Sequence, residues 1–187
     1  MMALRSRLLA AKPFPHLVLR DFFVEKFLHR VARALREQEF AHQDSDLFSF
    51  AQTKDLALLP HPDLVEFHRF LQSWEFKDYL HRITGVEAFG TVDCSGFLYQ
   101  EKDYLLPHDD HLETRKIAYT LYLSEDFSRR DGGALEFFSG SKMAVSYPPH
   151  FNTVTLFPVQ EGTTLHQVSE VVTDMLRYSL AGWFHAQ

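Results

Sequence analysis

Along the first half of the chain apolar residues recur three and four apart, and after Gly85 they recur two apart, so the sequence changes from helical to extended periodicity at that glycine. Val24, Phe27, Leu28, Val31 and Leu35 fall on one face of a helix over residues 24–37, which must therefore bury that face. A short strand at residues 17–19 precedes it. His61, Pro62 and Asp63 open a second helix with Leu64, Phe67, Phe70 and Leu71 on its apolar side. Pro62 suits a first helical turn, and Asp63 complements the free backbone N–H groups there. A third helix over residues 76–84 stops at Gly85, the residue best able to take the left-handed conformation of a helix end. Between the first two helices, DSDLFSFAQ (residues 44–52) reads as a polar and aromatic loop. The opening residues 1–15 carry Arg5, Arg7 and Lys12 beside leucines too few for a secretory signal, and read as a ragged tail rather than a targeting peptide.

Beyond Gly85 the alternation predicts strands at residues 91–99, 104–106, 116–123, 134–138, 153–158, 163–172 and 175–184, with turns at Gly132–Gly133 and at residues 147–149. Helices followed by antiparallel strands imply an α+β fold in which helices back a β-sandwich or jelly roll. No repeat or linker divides the chain. It reads as one domain over 1–187, with helical support over about 22–85 and a β core over about 88–185.

Composition narrows the function. A net charge of −6 disfavours direct nucleic-acid binding, which needs a basic face, and suits a basic protein partner. One cysteine, Cys94, excludes an internal disulfide and fits a reducing compartment, cytoplasmic or nuclear. No apolar run is long enough to span a bilayer, so no membrane role is expected. With 45% hydrophobic and 14% aromatic residues, the chain has ample material for one packed core.

The candidate chemistry is a ferrous site of two imidazoles and one carboxylate, which leaves the opposite coordination positions open. Its sequence trace, His-x-Asp with a later His, is weak alone because His-x-Asp occurs three times, at His42/Asp44, His61/Asp63 and His108/Asp110. His61 and Asp63 sit at a helix start, where capping explains them. His42 and Asp44 precede the sheet in a solvated stretch. His108 and Asp110 follow a strand, and residues two apart on extended chain point the same way, so this pair can share an ion. The third ligand then falls to a late strand, where His166 lies; His150 and His185 are the substitutes. Downstream, Arg177, Ser179 and Ala181 share one face of a strand whose neighbours are apolar, and a charge placed there needs a partner. A dicarboxylate supplies one, gripped by the guanidinium with Ser179 adding a hydroxyl. In residues 116–123, Ile117, Tyr119, Leu121 and Leu123 oppose Ala118, Thr120 and Tyr122; if the first set packs on the helices, the Tyr122 phenol reaches the same carboxylate.

Three runs, LLPHDDHLETRKIAYTLYLSEDF, GGALEFF and LHQVSEVVTDMLRYSLAGWFHA, resemble the catalytic domain of the OGFOD/Tpa-type ribosomal prolyl hydroxylases. KPFPHLVLRDFF and SDLFSFAQTKDL extend the likeness upstream, from about Lys12 to the C-terminus. The resemblance implies a double-stranded β-helix core backed by helices. It implies a dioxygenase that uses Fe(II) and 2-oxoglutarate, with ascorbate as accessory reductant, to hydroxylate carbon three of a prolyl residue in a basic small-subunit ribosomal protein near the decoding centre. By position it makes His108, Asp110 and His166 the metal ligands. It makes Arg177 the salt-bridge partner of 2-oxoglutarate and Tyr122 the co-substrate tyrosine; His108, Asp110, His166 and Arg177 together form the catalytic set. Asp109 is then a turn or supporting residue, and His111, at a usually acidic position, a decoy. Asp103, Asp109 and Glu113 are expected to draw in a basic substrate segment, tempered by Arg115 and Lys116. Members of that family commonly carry a second, non-catalytic β-helix domain that this sequence lacks, which leaves a single-domain relative or a trimmed chain as readings. The competing functions are hydroxylation of another protein, of oxygen-sensing or collagen type, and a catalytically silent jelly-roll binding module.

Overall fold

A computed structural model describes residues 1–187. Four helices, α1 (Met2–Ala10), α2 (Glu25–Arg36), α3 (Pro62–Gln72) and α4 (Trp74–Thr84), support eleven strands. Before α4 come β1 (Leu17–Arg20), β2 (Ala41–Ser45) and β3 (Phe48–Asp55). After it come β4 (Ser95–Tyr99), β5 (Tyr104–His108), β6 (Arg115–Tyr122), β7 (Leu135–Ser139) and β8 (Lys142–Tyr147), then β9 (Thr153–Pro158), β10 (His166–Val168) and β11 (Arg177–His185). All pair antiparallel in one curled sheet, ordered β1-β9-β6-β11-β4-β3-β5-β10-β7-β8, with β2 hydrogen-bonded to β3. The curl turns on β3, whose Ala51 to Asp55 end pairs with β4 while Phe48 and Ser49 pair with β5. One strand thus joins two facing layers, the jelly-roll arrangement.

The alternation on β6 sorts the interior into two sides. Ile117, Tyr119 and Leu121 join Val154 and Leu156 of β9 and Leu180 and Phe184 of β11, and these bury against Leu28, Val31 and Leu35 of α2, Leu64, Phe67 and Leu71 of α3, and Leu80 and Ile83 of α4. Burial of each such side chain contributes about 1.5–3 kcal/mol, which is what fastens the helices to the sheet. The opposite face of β6, with Ala118 and Tyr122, meets Phe157, Leu135, Phe137 and Phe14 inside the barrel. Gly85 ends α4 at φ 76°, as the periodicity predicts. The His61 Nδ1 accepts from the Asp63 backbone N–H at 3.2 Å, so that pair caps α3.

Four expectations are corrected. Residues 44–52 are not a loop: they belong to the β2–β3 hairpin, which stands between the first two helices of the sequence reading. Every residue of β2 is exposed, so no alternation marks it. The N-terminal residues are not a ragged tail, because α1 packs on α4 through the buried Leu8, with Phe14 buried beyond it. The turn at residues 147–149 is preceded by a strand, β8, that the sequence reading omitted. The strand expected over 163–172 shrinks to three residues, with an irregular register between His166 and Val168. No helix is long and apolar enough to cross a membrane.

Candidate active site

Strands β5 and β10 are neighbours, and their ladder sets His108 directly opposite His166. Their ring centroids lie 4.3 Å apart. Asp110, two residues past the end of β5, turns back between them: its Oδ1 is 3.6 Å from His108 Nε2 and its Oδ2 is 3.4 Å from His166 Nε2. One ligand atom from each residue lies within 4.8 Å of the others, the only such cluster of three in the chain. Backbone carbonyls fix both rings. Leu106 O accepts from His108 Nδ1 at 2.9 Å and Thr164 O accepts from His166 Nδ1 at 2.8 Å, so in each ring Nδ1 is the committed donor and Nε2 is the atom turned toward Asp110.

Electrostatics agree with this arrangement. Burial alone raises the Asp110 carboxyl, but the hydrogen bond from His108 and the charges of both imidazoles outweigh it and hold the group ionised below its usual range. Burial lowers His166 and prevails over the pull of Asp110, whereas at His108 the Asp110 contacts overcome burial and raise it. Two neutral-capable imidazoles and an anionic carboxylate are the donor set for a ferrous ion with one side open.

The triad opens on a cleft of about 520 Å³ lined by aromatic and aliphatic side chains, including Phe48, Phe97, Tyr99, Leu105 and Trp183. At its inner end lies Arg177, only 1% exposed. Its Nε donates to Gly133 O at 2.7 Å and one terminal nitrogen donates to Ser179 Oγ at 3.3 Å. The guanidinium sits 4.7 Å from the Tyr99 ring centroid and 5.3 Å from that of Tyr122. No carboxylate lies within ion-pair distance of it, so the fold buries a cation with neutral partners only. The Tyr122 phenol, also fully buried, has no hydrogen-bond partner. Burial raises its pKa against the opposing effect of Arg177, so it stays a donor. An unpaired buried cation and an orphaned donor side by side fit an incoming carboxylate.

The remaining candidates separate from this cluster. His42 and Asp44 are exposed on β2, and His111 is exposed. His185 is engaged elsewhere, with Nε2 2.8 Å from Asp93 Oδ2 and Nδ1 3.0 Å from Thr114 Oγ1. His150 belongs to no ligand cluster. Asp109 ties loops together by accepting from the backbone N–H groups of His111 and Gly162. Asp103 is corrected as a substrate attractor: it is buried, accepting from Ser49 Oγ at 2.5 Å and from the Gln100 N–H at 2.9 Å. Sequence reasoning missed Gly133, whose φ of 59° aims its carbonyl at Arg177. It also missed Trp183, whose buried indole N–H is unpaired and whose ring lies 3.4 Å under the Arg115 guanidinium. Continuing the Arg177, Ser179, Ala181 alternation by one step would have found Trp183.

The likeness to known proteins follows the same residues. Residues 94–185 match the family model described as the 2OG-Fe(II) oxygenase superfamily. The chain is 34% identical over 197 residues to the prolyl 3,4-dihydroxylase OGFOD1 of Ostreococcus tauri, covering 94% of this chain and 38% of that protein. It is 35% identical over 181 residues to the prolyl 3-hydroxylase OGFOD1 of Xenopus laevis, covering 92% and 35%. The chain therefore spans little more than a third of the length of these curated relatives. Among solved structures, a Pseudomonas putida prolyl-4-hydroxylase superposes with a TM-score of 0.79 at 18% identity, covering 99% of this chain and 98% of that one. A Trichoplax adhaerens prolyl hydroxylase in complex with a hypoxia inducible factor peptide superposes at 0.76 and 13% identity, covering 97% and 87%. At those identities the superpositions speak for the fold. The family match runs from β4 to β11, the strands that carry the triad and Arg177, and the chain belongs to the 2OG-Fe(II) oxygenase superfamily.

Proposed function

We propose that this protein is a prolyl 3-hydroxylase in which His108, Asp110 and His166 hold Fe(II) and Arg177, Tyr122 and Ser179 hold 2-oxoglutarate. The observation that carries the co-substrate reading is the burial of Arg177 without an anionic partner at the inner end of the cleft that opens at the triad. When bound, iron, 2-oxoglutarate and dioxygen supply the oxidative decarboxylation that yields succinate and carbon dioxide and inserts one oxygen atom into a substrate C–H bond. The chain's own part is positioning. The Leu106 and Thr164 carbonyls keep both imidazoles in the ligating tautomer, and Arg177 with Tyr122 fixes the far end of the co-substrate. The aromatic walls suit a compact, apolar pyrrolidine ring.

The prolyl and carbon-three assignments rest on the relatives named prolyl 3-hydroxylases at 31–35% identity. The finer reading is a basic ribosomal protein of the small subunit as substrate, ascorbate as reductant, a cytoplasmic or nuclear location, and residues 1–187 acting as one catalytic unit. It is supported by the resemblance in the LLPHDDHLETRKIAYTLYLSEDF run and by the acidic balance of the chain. The test is incubation with Fe(II), 2-oxoglutarate, ascorbate and ribosomal prolyl peptides, followed by mass spectrometry. Gain of one oxygen at a ribosomal proline, matched by succinate, is expected. Modification of an oxygen-sensing or collagen-type peptide instead would redirect the substrate, and binding without any oxidation would leave a silent binding module.

A further inference from the structure

The barrel interior contains a polar side chain that the roles above leave unused. On β9, Val154 and Leu156 point into the helix-side core while Phe157 lines the cleft, so Thr155 shares the inward face with Phe157. Thr155 lies opposite Thr120 of β6, one step diagonally from Tyr122. It is completely buried, and its Oγ1 has no hydrogen-bond partner. A threonine hydroxyl inside a sheet ordinarily bonds to a nearby carbonyl or water, and leaving it unpaired is a standing cost. Only three buried side-chain polar atoms in the chain are orphaned in this way; two of them, Tyr122 Oη and Thr155 Oγ1, are neighbours on adjacent strands, and the Tyr122 ring lies against the buried guanidinium.

A carboxylate offers about four acceptor positions. The Arg177 Nε is already spent on Gly133 O, so its terminal nitrogens are what remain for a ligand. Even a bidentate grip by them leaves acceptor positions open on the far side of the carboxylate. We propose that Thr155 is a direct ligand of the distal carboxylate of 2-oxoglutarate, its hydroxyl donating, beside Tyr122, to the carboxylate from the β9 side while Arg177 grips it from the β11 side. This rests on the co-substrate reading above and adds a binding residue to it. The distal carboxylate is then matched by hydrogen-bond count as well as by charge.

The experiment uses the full chain with Mn(II), which is redox-silent under these conditions, and titrates 2-oxoglutarate by calorimetry while thermal melting is followed with and without it. The variants are T155V, which keeps the shape and removes the hydroxyl, and T155S, which keeps the hydroxyl. T155A is the second hydroxyl-free variant should T155V fail to fold. The expected result is that T155V melts at or above the wild type without ligand, binds 2-oxoglutarate about tenfold more weakly, and gains less from it on melting, whereas T155S binds nearly as the wild type does. Wild-type affinity in T155V or T155A overturns the assignment. If the wild type itself does not bind 2-oxoglutarate, the co-substrate reading fails and takes this one with it, an outcome visible before any variant is made.

Discussion

Replacing Arg177 by methionine separates the energy of holding the co-substrate from the energy of holding the fold. In the ligand-free protein the guanidinium is buried with a carbonyl and a hydroxyl as partners and no counter-charge. Its removal therefore breaks no ion pair, and methionine refills much of the volume. One bond to Gly133 O is lost while an isolated buried cation is relieved, so the melting temperature should move little, or rise. Binding behaves differently. Removing one partner of a buried charge pair costs about 3–5 kcal/mol. Tyr122 and Ser179 remain to donate to the stranded carboxylate, which places the loss near the lower bound, about 3 kcal/mol or roughly 150-fold in affinity. Calorimetric titration of 2-oxoglutarate into the Mn(II)-loaded variant measures this, with a parallel metal titration as control. Affinity within about threefold of the wild type would refute the reasoning, and so would a parallel collapse of metal binding, because His108 and His166 stand on other strands and Asp110 lies just past the end of β5.

Replacing His166 by alanine should abolish turnover and strongly weaken metal binding, read by succinate release and metal titration; retained activity would move the third ligand elsewhere. Gly133→Ala adds a Cβ 2.8 Å from Arg177 Cδ at a φ of 59°, so it should destabilise the fold by about 1–3 kcal/mol and weaken 2-oxoglutarate binding together, checked by melting and titration. His16 supplies a pH signature. Burial holds its imidazole below the ordinary range, only partly offset by the Nδ1–H bond to Phe14 O, and Nε2 faces the Tyr147 hydroxyl at 2.7 Å. The folded state thus binds fewer protons than the unfolded state. Stability from the neutral ring is complete above about pH 6.5 and is lost as pH falls through the depressed folded value. His16→Gln should therefore lose less stability between neutral and mildly acid pH in urea titrations, and an identical slope in both proteins would rule this out.

Where a face is buried, the sequence shows it. The stripe of Leu28, Val31 and Leu35 announces α2, and the two faces of β6 announce both the helix-side core and the inward Tyr122. Where nothing is buried, the pattern is silent, and β2, exposed along its whole length, passes for a loop. Helix α1 buries only Leu8, too little for a stripe. The site divides the same way. His108, Asp110, His166, Arg177 and Tyr122 are marked by side-chain chemistry on alternating strands, and the fold brings all five to one cleft and its inner wall. The carbonyls of Leu106, Thr164 and Gly133 are invisible in sequence because every residue has one, and only the local backbone decides which of them meets an imidazole or a guanidinium.

The direct pairing of His108 with His166 across the β5–β10 ladder has a mechanical consequence. An ion gripped by both residues is also a rivet between two strands, one of them only three residues long with an irregular register. Loading with metal should then slow amide exchange along β10 and its neighbours, and chelation should loosen that seam first. The supply of iron would in this way govern how rigid the doorway to the cleft is, before any chemistry begins.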